Sequence, residues 1–439
     1  MPNTFPGGIH PKEYKEISEN KAISIFPVPK IAVIPLLQHN GAINEPLVNV
    51  GDQVKIGQIL GSSEKFVSSP VHASIAGKIT AIEDRLSFNG LMIKSIIIEN
   101  DGSSQIHESI KPYPELEKLS KDDIRKIVRG AGIVGLGGAA FPTHIKLDPP
   151  HDKEINTVIL NGAECEPFLT CDYRVLLEDF EDVILGLKAI MIPTDAKSGI
   201  IAIEDNKPEA IKLFEKLLAK EEHISLKVVK TKYPQGAEKQ LIKSILKREV
   251  PSGGLPMDVG VVVNNIGTAA QIAKTLKTGM PLIERVVTIA GTQVKNPANL
   301  LVKIGTNVRE LIEFSQVNGT VRKVLAGGPM MGIAIPSLDV PVVKALSGLT
   351  IFTEKDIRSF QPDPCIRCGK CVDICPMNLQ PNLLADLSEH EKWAECEKLH
   401  ALDCIECGAC AYVCGAKRNL VQLIKKAKAQ ILKRRKKKS

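Results

Sequence analysis

The sequence predicts a multidomain protein in which β and α/β domains precede a helical domain rich in cysteine. Three observations carry this prediction. Within the first hundred residues, apolar and polar residues alternate between glycines, as at residues 48–60, which is typical of short strands joined by turns. From about residue 120 to 285, strand-like and helix-like stretches alternate. Beyond residue 354, helical patterns surround two runs of four cysteines.

The composition is that of an ordinary soluble protein with several domains. The chain has 439 residues, 44% of them hydrophobic, and its mean hydropathy is +0.01. At the usual domain size, this length corresponds to three or four domains. No apolar run approaches the roughly 20 residues of a membrane span. The N-terminus lacks the basic and apolar regions of a signal peptide, so none is expected.

The positive charge is concentrated in one segment. The formal net charge is +7, and residues 425–439 contain nine Lys or Arg and no acid. The rest of the chain is therefore slightly acidic, and no nucleic-acid partner is expected. Four apolar residues recur at helical spacing from just before this segment into it: Leu420, Ile424, Ala427 and Ile431. The pattern predicts a basic amphipathic helix for an anionic membrane surface or an acidic partner, with a disordered solvated tail as the alternative.

The elements follow one another in a definite order. A Pro-rich joint at 111–114 leads to Ser120, an expected helix N-cap with acids in the first turn. Strands are predicted at 156–161, 198–204 and 226–230, and helices at 175–189 and 208–218. This alternation predicts an α/β domain with a largely parallel sheet. Short strands return at 286–345, with a small helix at 307–314. The predicted domains are 1–115, 116–285, 286–345, 346–424 and a basic tail at 425–439.

The cysteine runs have the C-x2-C-x2-C-x3-C spacing that holds a [4Fe–4S] cluster. Three closely spaced cysteines wrap one cluster, and the fourth, carried away on the following turn, ligates the other. We therefore predict one cluster at Cys365, Cys368, Cys371 and Cys414. The second is predicted at Cys404, Cys407, Cys410 and Cys375. The first run ends in Cys-Pro, whereas the second ends in Cys-Gly, which allows a similar exit turn.

Zinc and disulfides are the alternatives. Structural zinc sites use paired C-x2-C units, which would leave the fourth cysteine of each run without a role. Disulfides are not expected at such regular spacing in a large chain. Because cluster cysteines need a reducing compartment, the cytoplasm is the expected location. The remaining cysteines, Cys165, Cys171 and Cys396, are expected to be small buried hydrophobic residues. Cys165 is the exception to watch, because it lies inside a candidate ligand-binding loop.

A second informative stretch is glycine-dense and covers residues 132–146. Closely packed glycines let the backbone approach a ligand, and exposed N–H groups form a cradle for an anion. Taken alone, such a stretch is equally typical of tight turns. Three further stretches accompany it: 161–167 (Asn-Gly-Ala-Glu-Cys-Glu-Pro), 233–238 (Tyr-Pro-Gln-Gly-Ala-Glu) and 263–268 (Val-Asn-Asn-Ile-Gly-Thr).

These four stretches resemble, in sequence and order, the NADH-binding flavoprotein subunit of respiratory complex I. Residues 48–79 resemble the barrel-sandwich hammerhead of lipoyl and biotinyl carrier domains. Residues 286–345 resemble the β-grasp-like (SLBB) domain that follows in the complex I family. With residues 5–11 and the cysteine runs, the whole chain resembles the RnfC family, a component of the Rnf-type ion-translocating electron transport complex.

This resemblance implies a Rossmann-like domain that holds FMN and handles NAD(H). The implied FMN-binding residues are Gly135, Gly137, Gly138, Asn161, Glu164, Asn264 and Asn265. The implied residues toward NAD(H), and the candidate catalytic ones, are Lys146, Glu166 and Glu238. Leu136, Ala163 and Ala237 depart from the complex I pattern, so contacts to phosphate and dinucleotide are expected to differ in detail.

The implied function is electron transfer, because a flavin converts the two electrons of a hydride into single electrons for clusters. The resemblance places the chain peripherally on the cytoplasmic side of the inner membrane. Its implied partners are membrane-embedded subunits and a ferredoxin-like iron–sulfur subunit. Two alternatives stay open: a soluble NADH-dependent reductase related to cobalamin reductases, and a flavin-less docking subunit.

Overall fold

The first domain consists of two antiparallel sheets. In this computed structural model, residues 3–357 and 359–438 are described. After a short strand β1 (Ile23–Ile25), the strands are β2 (Ile31–Pro35), β3 (Glu45–Pro46), β4 (Gln53–Val54), β5 (Ile59–Ser62), β6 (Val71–His72), β7 (Gly77–Leu86) and β8 (Met92–Asn100). One sheet has the order β2-β8-β7-β4 and the other β3-β5-β6. Alternate residues such as Ile34, Ile96 and Ile98 are fully buried, as the period of two predicts.

The segment before β2 does not stay with the first domain. β1 pairs in parallel with residues 299–301 of the third domain. Asn3 forms a bridge with Val229, and Ile9 forms one with Tyr233, both in the α/β domain. The N-terminal segment therefore ties other domains together, which the predicted range of 1–115 did not anticipate.

The second domain is an α/β layer structure. Its elements are α1 (Lys121–Gly130), α2 (Thr143–Lys146), β9 (Thr157–Gly162), α3 (Cys171–Glu178), α4 (Phe180–Thr194), β10 (Ser198–Glu204), α5 (Pro208–Leu218), β11 (Ile224–Val229), α6 (Glu238–Leu246), β12 (Val261–Asn265) and α7 (Ile266–Thr278). The sheet has the order β11-β10-β9-β12 and all its strands are parallel, as predicted.

Local signals at the helix ends of this domain agree well with the structure. Ser120 caps α1 and forms a reciprocal capping box with Asp123. The single helix expected at 175–189 is instead two helices, because Asp179 leaves helical geometry with φ −113° and ψ 30°.

The third domain is built on a six-stranded mixed sheet. Its elements are β13 (Glu284–Ala290), β14 (Ala298–Lys303), α8 (Val308–Ser315), β15 (Val321–Ala326), β16 (Ile333–Ala334) and β17 (Gly348–Thr353). The strand order is β1-β14-β13-β17-β15-β16. β17 lies beyond the predicted boundary at residue 345 and pairs with both β13 and β15. The sheet is thus completed by two strands from outside the predicted range, β1 from the N-terminal segment and β17 from beyond residue 345.

The C-terminal domain is helical. Its helices are α9 (Lys370–Asp373), α10 (Pro381–Glu389), α11 (Trp393–Lys398), α12 (Ala409–Val413) and α13 (Leu420–Lys438). Leu420, Ile424, Ala427 and Ile431 of α13 are at most 1% exposed, in cores shared with α10 and α11.

The apolar face of α13 corrects the expectation for the tail. This face was predicted to meet a membrane or a partner, but it packs inside its own domain, because burial there removes the same apolar surface from water. The disordered alternative is also wrong for the described residues, which are helical up to Lys438. Residue 425 lies within this helix, so the tail is not a separate segment.

The domains share buried contacts. One hydrophobic core runs from the first domain into the α/β domain. The Lys344 ammonium donates to the carbonyls of Pro70 (2.7 Å) and Gly132 (2.6 Å), which joins three domains at one buried point. Within residues 3–357 and 359–438, no helix has the length and apolar character needed to cross a membrane.

Candidate functional site

The eight cysteines of the two runs surround two separate cavities. Cys365, Cys368, Cys371 and Cys414 line one cavity, called here the outer cysteine site. Cys375, Cys404, Cys407 and Cys410 line the other, called the inner cysteine site. Each site therefore takes three cysteines from one run and the fourth from the other, which is the division that the spacing predicts.

Short helices create this division. In each run the third cysteine stands on a one-turn helix, α9 or α12, and the fourth follows where that helix ends. Gly369 and Gly408 precede these helices with φ values of 77° and 79°, a conformation that glycine adopts without steric cost. α9 and α12 pack against each other, so each fourth cysteine is carried to the neighbouring site.

The chemistry of the inner site suits a metal centre bound by thiolates. Burial raises the pKa of Cys407 to about 11, and Cys404 and Cys375 beside it act in the same direction. Crowded thiols of this kind become thiolates only when a bound cation offsets their charge. Backbone N–H groups already face the sulfurs, from Leu379 to Cys375 and from Glu406 to Cys404, both at 3.4 Å. Among the described residues, no three His, Cys, Asp or Glu meet at one point suited to a single metal ion.

A large cleft opens at the carboxyl ends of β9 and β12. Its volume is about 460 Å³. Crevices at the carboxyl ends of parallel strands are the usual ligand sites of open α/β sheets. Nine of the predicted site residues line it: Gly135, Gly137, Lys146, Asn161, Glu164, Glu166, Glu238, Asn264 and Asn265.

Gly138 differs from the other predicted FMN residues. It is exposed in the turn of the glycine-rich loop and does not line the cleft. A Cβ atom built on it would meet nothing within 4 Å, although its φ of +104° strains any other residue. Gly138 therefore shapes the loop in this structure, whereas Gly135 and Gly137 face the cleft.

Three of the predicted FMN-binding residues form side-chain hydrogen bonds with other protein groups. Asn161 donates to the Gly236 carbonyl at 2.8 Å and accepts from Ala163 N–H at 3.1 Å. Glu164 accepts from the N–H groups of Asp172 and Tyr173 at the start of α3. Asn265 caps α7 and donates to Asp172 at 2.6 Å. These hydrogen bonds fix the positions of the loops that form the cleft.

Asn264 has a free donor. Its side chain is 4% exposed and lines the cleft, and its amide Nδ2 has no hydrogen-bond partner among the described residues. A buried donor without a partner is costly, so such groups are normally satisfied by a ligand or water. Together with the glycine backbone that lines the cleft at Gly135 and Gly137, this free donor fits a polar, planar cofactor such as FMN.

The residues implied to face NAD(H) fall into two groups. Lys146 donates to Glu238 at 3.3 Å and to the Val263 carbonyl at 3.0 Å, and both charged side chains are partly exposed in the cleft. Glu166 instead accepts from Met330 N–H (3.0 Å) and Met331 N–H (2.7 Å) of the third domain. Burial raises the pKa of the Glu166 carboxyl, and these two hydrogen bonds act in the opposite direction. Because they come from the third domain, they hold a contact between the two domains in place.

The large cleft, called here the flavin cleft, shares a wall with the inner cysteine site. Tyr233 lines the cleft, and its hydroxyl donates to the Cys407 carbonyl at 2.7 Å. Ile405, which lies between Cys404 and Cys407 in the chain, lines both the cleft and the inner site. Spacing within the cysteine runs gives no sign of this contact, because Tyr233 and Cys407 are far apart in sequence.

Asp172 is a further cleft residue that the sequence did not single out. It lies beside Glu164, and burial raises the pKa of its carboxyl, with the Glu164 charge acting in the same direction.

The remaining cysteines agree only in part with expectation. Cys171 and Cys396 are buried, whereas Cys165 is partly exposed and lines the cleft.

Comparison with protein families matches each part of the chain. The matches are the RnfC barrel sandwich hybrid domain at residues 3–103, the Nuo51 FMN-binding domain at 128–274, the SLBB domain at 286–334 and a 4Fe-4S dicluster domain at 364–418. The chain is also 46% identical over 438 residues to the RnfC component of the Na(+)-translocating ferredoxin:NAD(+) oxidoreductase complex of Acetobacterium woodii, covering 99% of this chain and 98% of that protein.

The chain belongs to the RnfC family of ion-translocating oxidoreductase complexes. It is 44% identical to the corresponding protein of the proton-translocating ferredoxin:NAD(+) oxidoreductase complex of Clostridium ljungdahlii, with coverage of 98% of this chain and 94% of that protein. The resemblance noted in the sequence is thus confirmed, as is the multidomain architecture. As in its family models, this RnfC protein combines an FMN-binding domain with a domain for two [4Fe–4S] clusters.

A solved structure shares the fold of this RnfC protein. The air-oxidized NAD+-reducing [NiFe]-hydrogenase matches with a TM-score of 0.51 and 18% sequence identity, over 73% of this chain and 64% of that chain. At this level of identity the match concerns the fold alone.

Proposed function

We propose that this protein exchanges hydride between NAD(H) and FMN and passes single electrons through two [4Fe–4S] clusters. It does so as the RnfC component of a membrane-bound, ion-translocating ferredoxin:NAD oxidoreductase. The observation that carries the proposal is the wall shared by the flavin cleft and the inner cysteine site, at Tyr233 and Ile405. FMN supplies the conversion between two-electron and one-electron chemistry when bound.

The cleft residues divide this work. Asn264 offers its free amide donor to the cofactor, and Gly135 and Gly137 leave room for it. Asn161, Glu164 and Asn265 act one step away, by fixing the loops that form the wall.

For NAD(H), the Lys146–Glu238 pair is the polar group best placed to be reached from solvent. Opening this pair would present an ammonium to the dinucleotide phosphates. Glu166 positions the loop at Met330 and Met331, and hydride transfer then needs alignment and no separate acid or base.

Electrons pass from the cleft to the inner cysteine site first and to the outer site second. The inner site adjoins the cleft, whereas the outer site opens to the surface, where Cys368 is exposed and Ile366 is 68% exposed. The outer site is therefore the place of exchange with a ferredoxin-like iron–sulfur subunit or with membrane-embedded subunits.

The basic end of α13 suits a peripheral position at the cytoplasmic face of the membrane. Part of its charge is used within the domain, since Lys428 and Lys425 pair with Glu406 and Arg435 pairs with Glu397. Lys433 and Arg434 are also exposed, and they do not belong to these pairs. Each such charge near anionic lipid contributes about 1 kcal/mol, so this end of the helix reinforces a position set mainly by partner subunits.

The deciding experiment is an anaerobic optical titration of the full chain reconstituted with iron, sulfide and FMN. NADH is expected to bleach the flavin absorbance first and the broad iron–sulfur absorbance after it. Cys375→Ser is the matched control, in which the flavin still bleaches while electrons no longer reach the outer cluster. Flavin that stays oxidised for minutes in a folded, flavin-loaded protein would exclude NADH as donor.

A further inference from the structure

A small polar cavity lies behind the flavin cleft. It is called here the rear cavity and has a volume of about 20 Å³, which is room for about one water molecule. Its lining includes His10, Glu13, Cys165, Glu204 and Asn206. Cys165 also lines the flavin cleft, so its side chain stands between the two spaces.

Glu204 is the central group of the rear cavity. It is the last residue of β10, directly after Ala202 and Ile203, which pair with Asn161 and Gly162 of β9. This register places Glu204 beside the loop that begins at Ala163. The residue is 1% exposed, and neither carboxylate oxygen has a hydrogen-bond partner among the described residues.

Two residues near Glu204 in the chain also have buried polar atoms without a hydrogen-bond partner among the described residues. The Asn206 amide oxygen and the Lys207 ammonium are buried and also lack hydrogen-bond partners within the described chain. Buried polar groups in native proteins are almost always satisfied, and ordered water is the usual partner when no protein group is available. Lys207 does not line the cavity, and its ammonium lies over the Tyr173 ring, whereas Glu204 and Asn206 both line it. These two unpartnered groups at one cavity therefore indicate a hydrated site.

Charges of both signs face Glu204. They come from the N-terminal segment (Glu13 and Lys15), from Lys207 directly before α5, and from Glu164 at the flavin cleft. Burial raises the pKa of Glu204, and the two lysines oppose that rise. Burial also raises the pKa of Cys165, which keeps its thiol protonated.

The proposed function leaves one proton to be moved. Oxidation of NADH gives NAD⁺, two electrons and one proton, and the two electrons go to the clusters. Because a bound dinucleotide would cover the open side of the cleft, a group behind the cleft is needed to carry that proton to solvent. Resting on the proposed function, we propose that Glu204 and water in the rear cavity form the proton path between the flavin cleft and the surface near His10.

The path works in both directions. When NADH is oxidised, the proton leaves the cleft past Cys165, is held on a Glu204 oxygen and passes to solvent. When NAD⁺ is reduced, one proton returns by the same groups while two electrons arrive from the clusters. No bond to carbon or sulfur is formed or broken by Glu204, which acts only as a proton carrier.

The first test does not depend on turnover. Infrared spectra of the full chain without FMN, recorded across pH, should contain the carbonyl band of a protonated buried carboxyl that is absent from Glu204→Gln. Glu215→Gln, on the exposed face of α5, is the matched control and should keep the band. A crystal structure should contain water bonded to Glu204. A dry cavity, or an unchanged band in Glu204→Gln, would overturn the proposal.

The second test uses the reconstituted protein in weak buffer with a pH-indicating dye and ferricyanide as electron acceptor. Glu204→Gln should slow proton release about a hundredfold while NADH still bleaches the flavin, and Glu204→Asp should recover part of the rate. Equal proton-release rates in wild type and Glu204→Gln would refute the path. Failure of NADH to bleach the wild-type flavin would instead refute the proposed function.

Discussion

Exchange of the fourth cysteines between the two runs gives the sharpest prediction. Because Cys375 lines only the inner site and Cys414 only the outer site, each substitution should remove one cluster. We expect about eight irons and eight sulfides per wild-type chain, and about four of each in Cys375→Ser and in Cys414→Ser. Cys396→Ala, at a buried cysteine of the same domain, should keep all of them.

Iron content alone does not say which cluster is lost, so the assay adds alkylation under native anaerobic conditions followed by peptide mapping. In Cys375→Ser, the thiols that become reactive should be Cys404, Cys407 and Cys410, although Cys375 belongs to the other run. In Cys414→Ser they should be Cys365, Cys368 and Cys371. Reactivity confined to the run that carries the substitution would refute the crossed arrangement, and stoichiometric zinc without iron would refute the clusters altogether.

Three further predictions follow from the cleft and the C-terminal helix. Asn264→Ala should weaken FMN binding about tenfold, the value of one hydrogen bond, without destabilising the flavin-free protein. Asn318→Ala, at an exposed asparagine outside the cleft, should leave FMN affinity unchanged, and an unchanged affinity in Asn264→Ala would remove Asn264 from the site. Because the pKa of Asp172 is raised in the folded protein, its contribution to stability is present below the ordinary carboxyl value and lost as pH rises through the raised value. The wild-type free energy of unfolding should therefore fall between pH 4 and neutrality, and Asp172→Asn should reduce this fall by up to about 1.4 kcal/mol per pH unit. Thermal unfolding measured across this pH range checks it, and an equal loss of stability in both proteins would contradict it. Replacing Lys433 and Arg434 by Gln should weaken sedimentation with anionic vesicles at low salt but not at high salt, whereas replacing the exposed Lys212 and Lys216 should have no effect; equal binding by both pairs would leave α13 without a membrane role.

A truncation test of the C-terminal helix is not equivalent to these substitutions. Ending the chain at Leu423 would remove Ile424, Ala427 and Ile431 from the core of the cluster domain. Loss of one such buried side chain typically costs about 2–5 kcal/mol in small domains, so the truncated domain is expected to unfold. Charge substitutions keep the apolar face and therefore test membrane contact alone.

The sequence by itself determined the features that depend on local spacing. Three cysteines within seven residues can wrap only one small site, so the cysteine runs predicted both cavities before any fold was known. Strand β10 and helix α5 have the bounds that the sequence predicts, and Ser120 caps α1, because period and capping act over a few residues. The motifs also identified residues that line the cleft, except Gly138, which lies outside it.

Only the tertiary structure decided which surfaces and side chains meet. The periodicity of α13 showed that it has an apolar face, but not that α10 and α11 cover it. Asn265 and Glu164 were expected at FMN, yet their hydrogen bonds go to Asp172 and to the start of α3. The bond from Tyr233 to Cys407, which links cleft to cluster, spans two domains. A side chain's partners depend on how separate elements pack, and no local pattern records that packing.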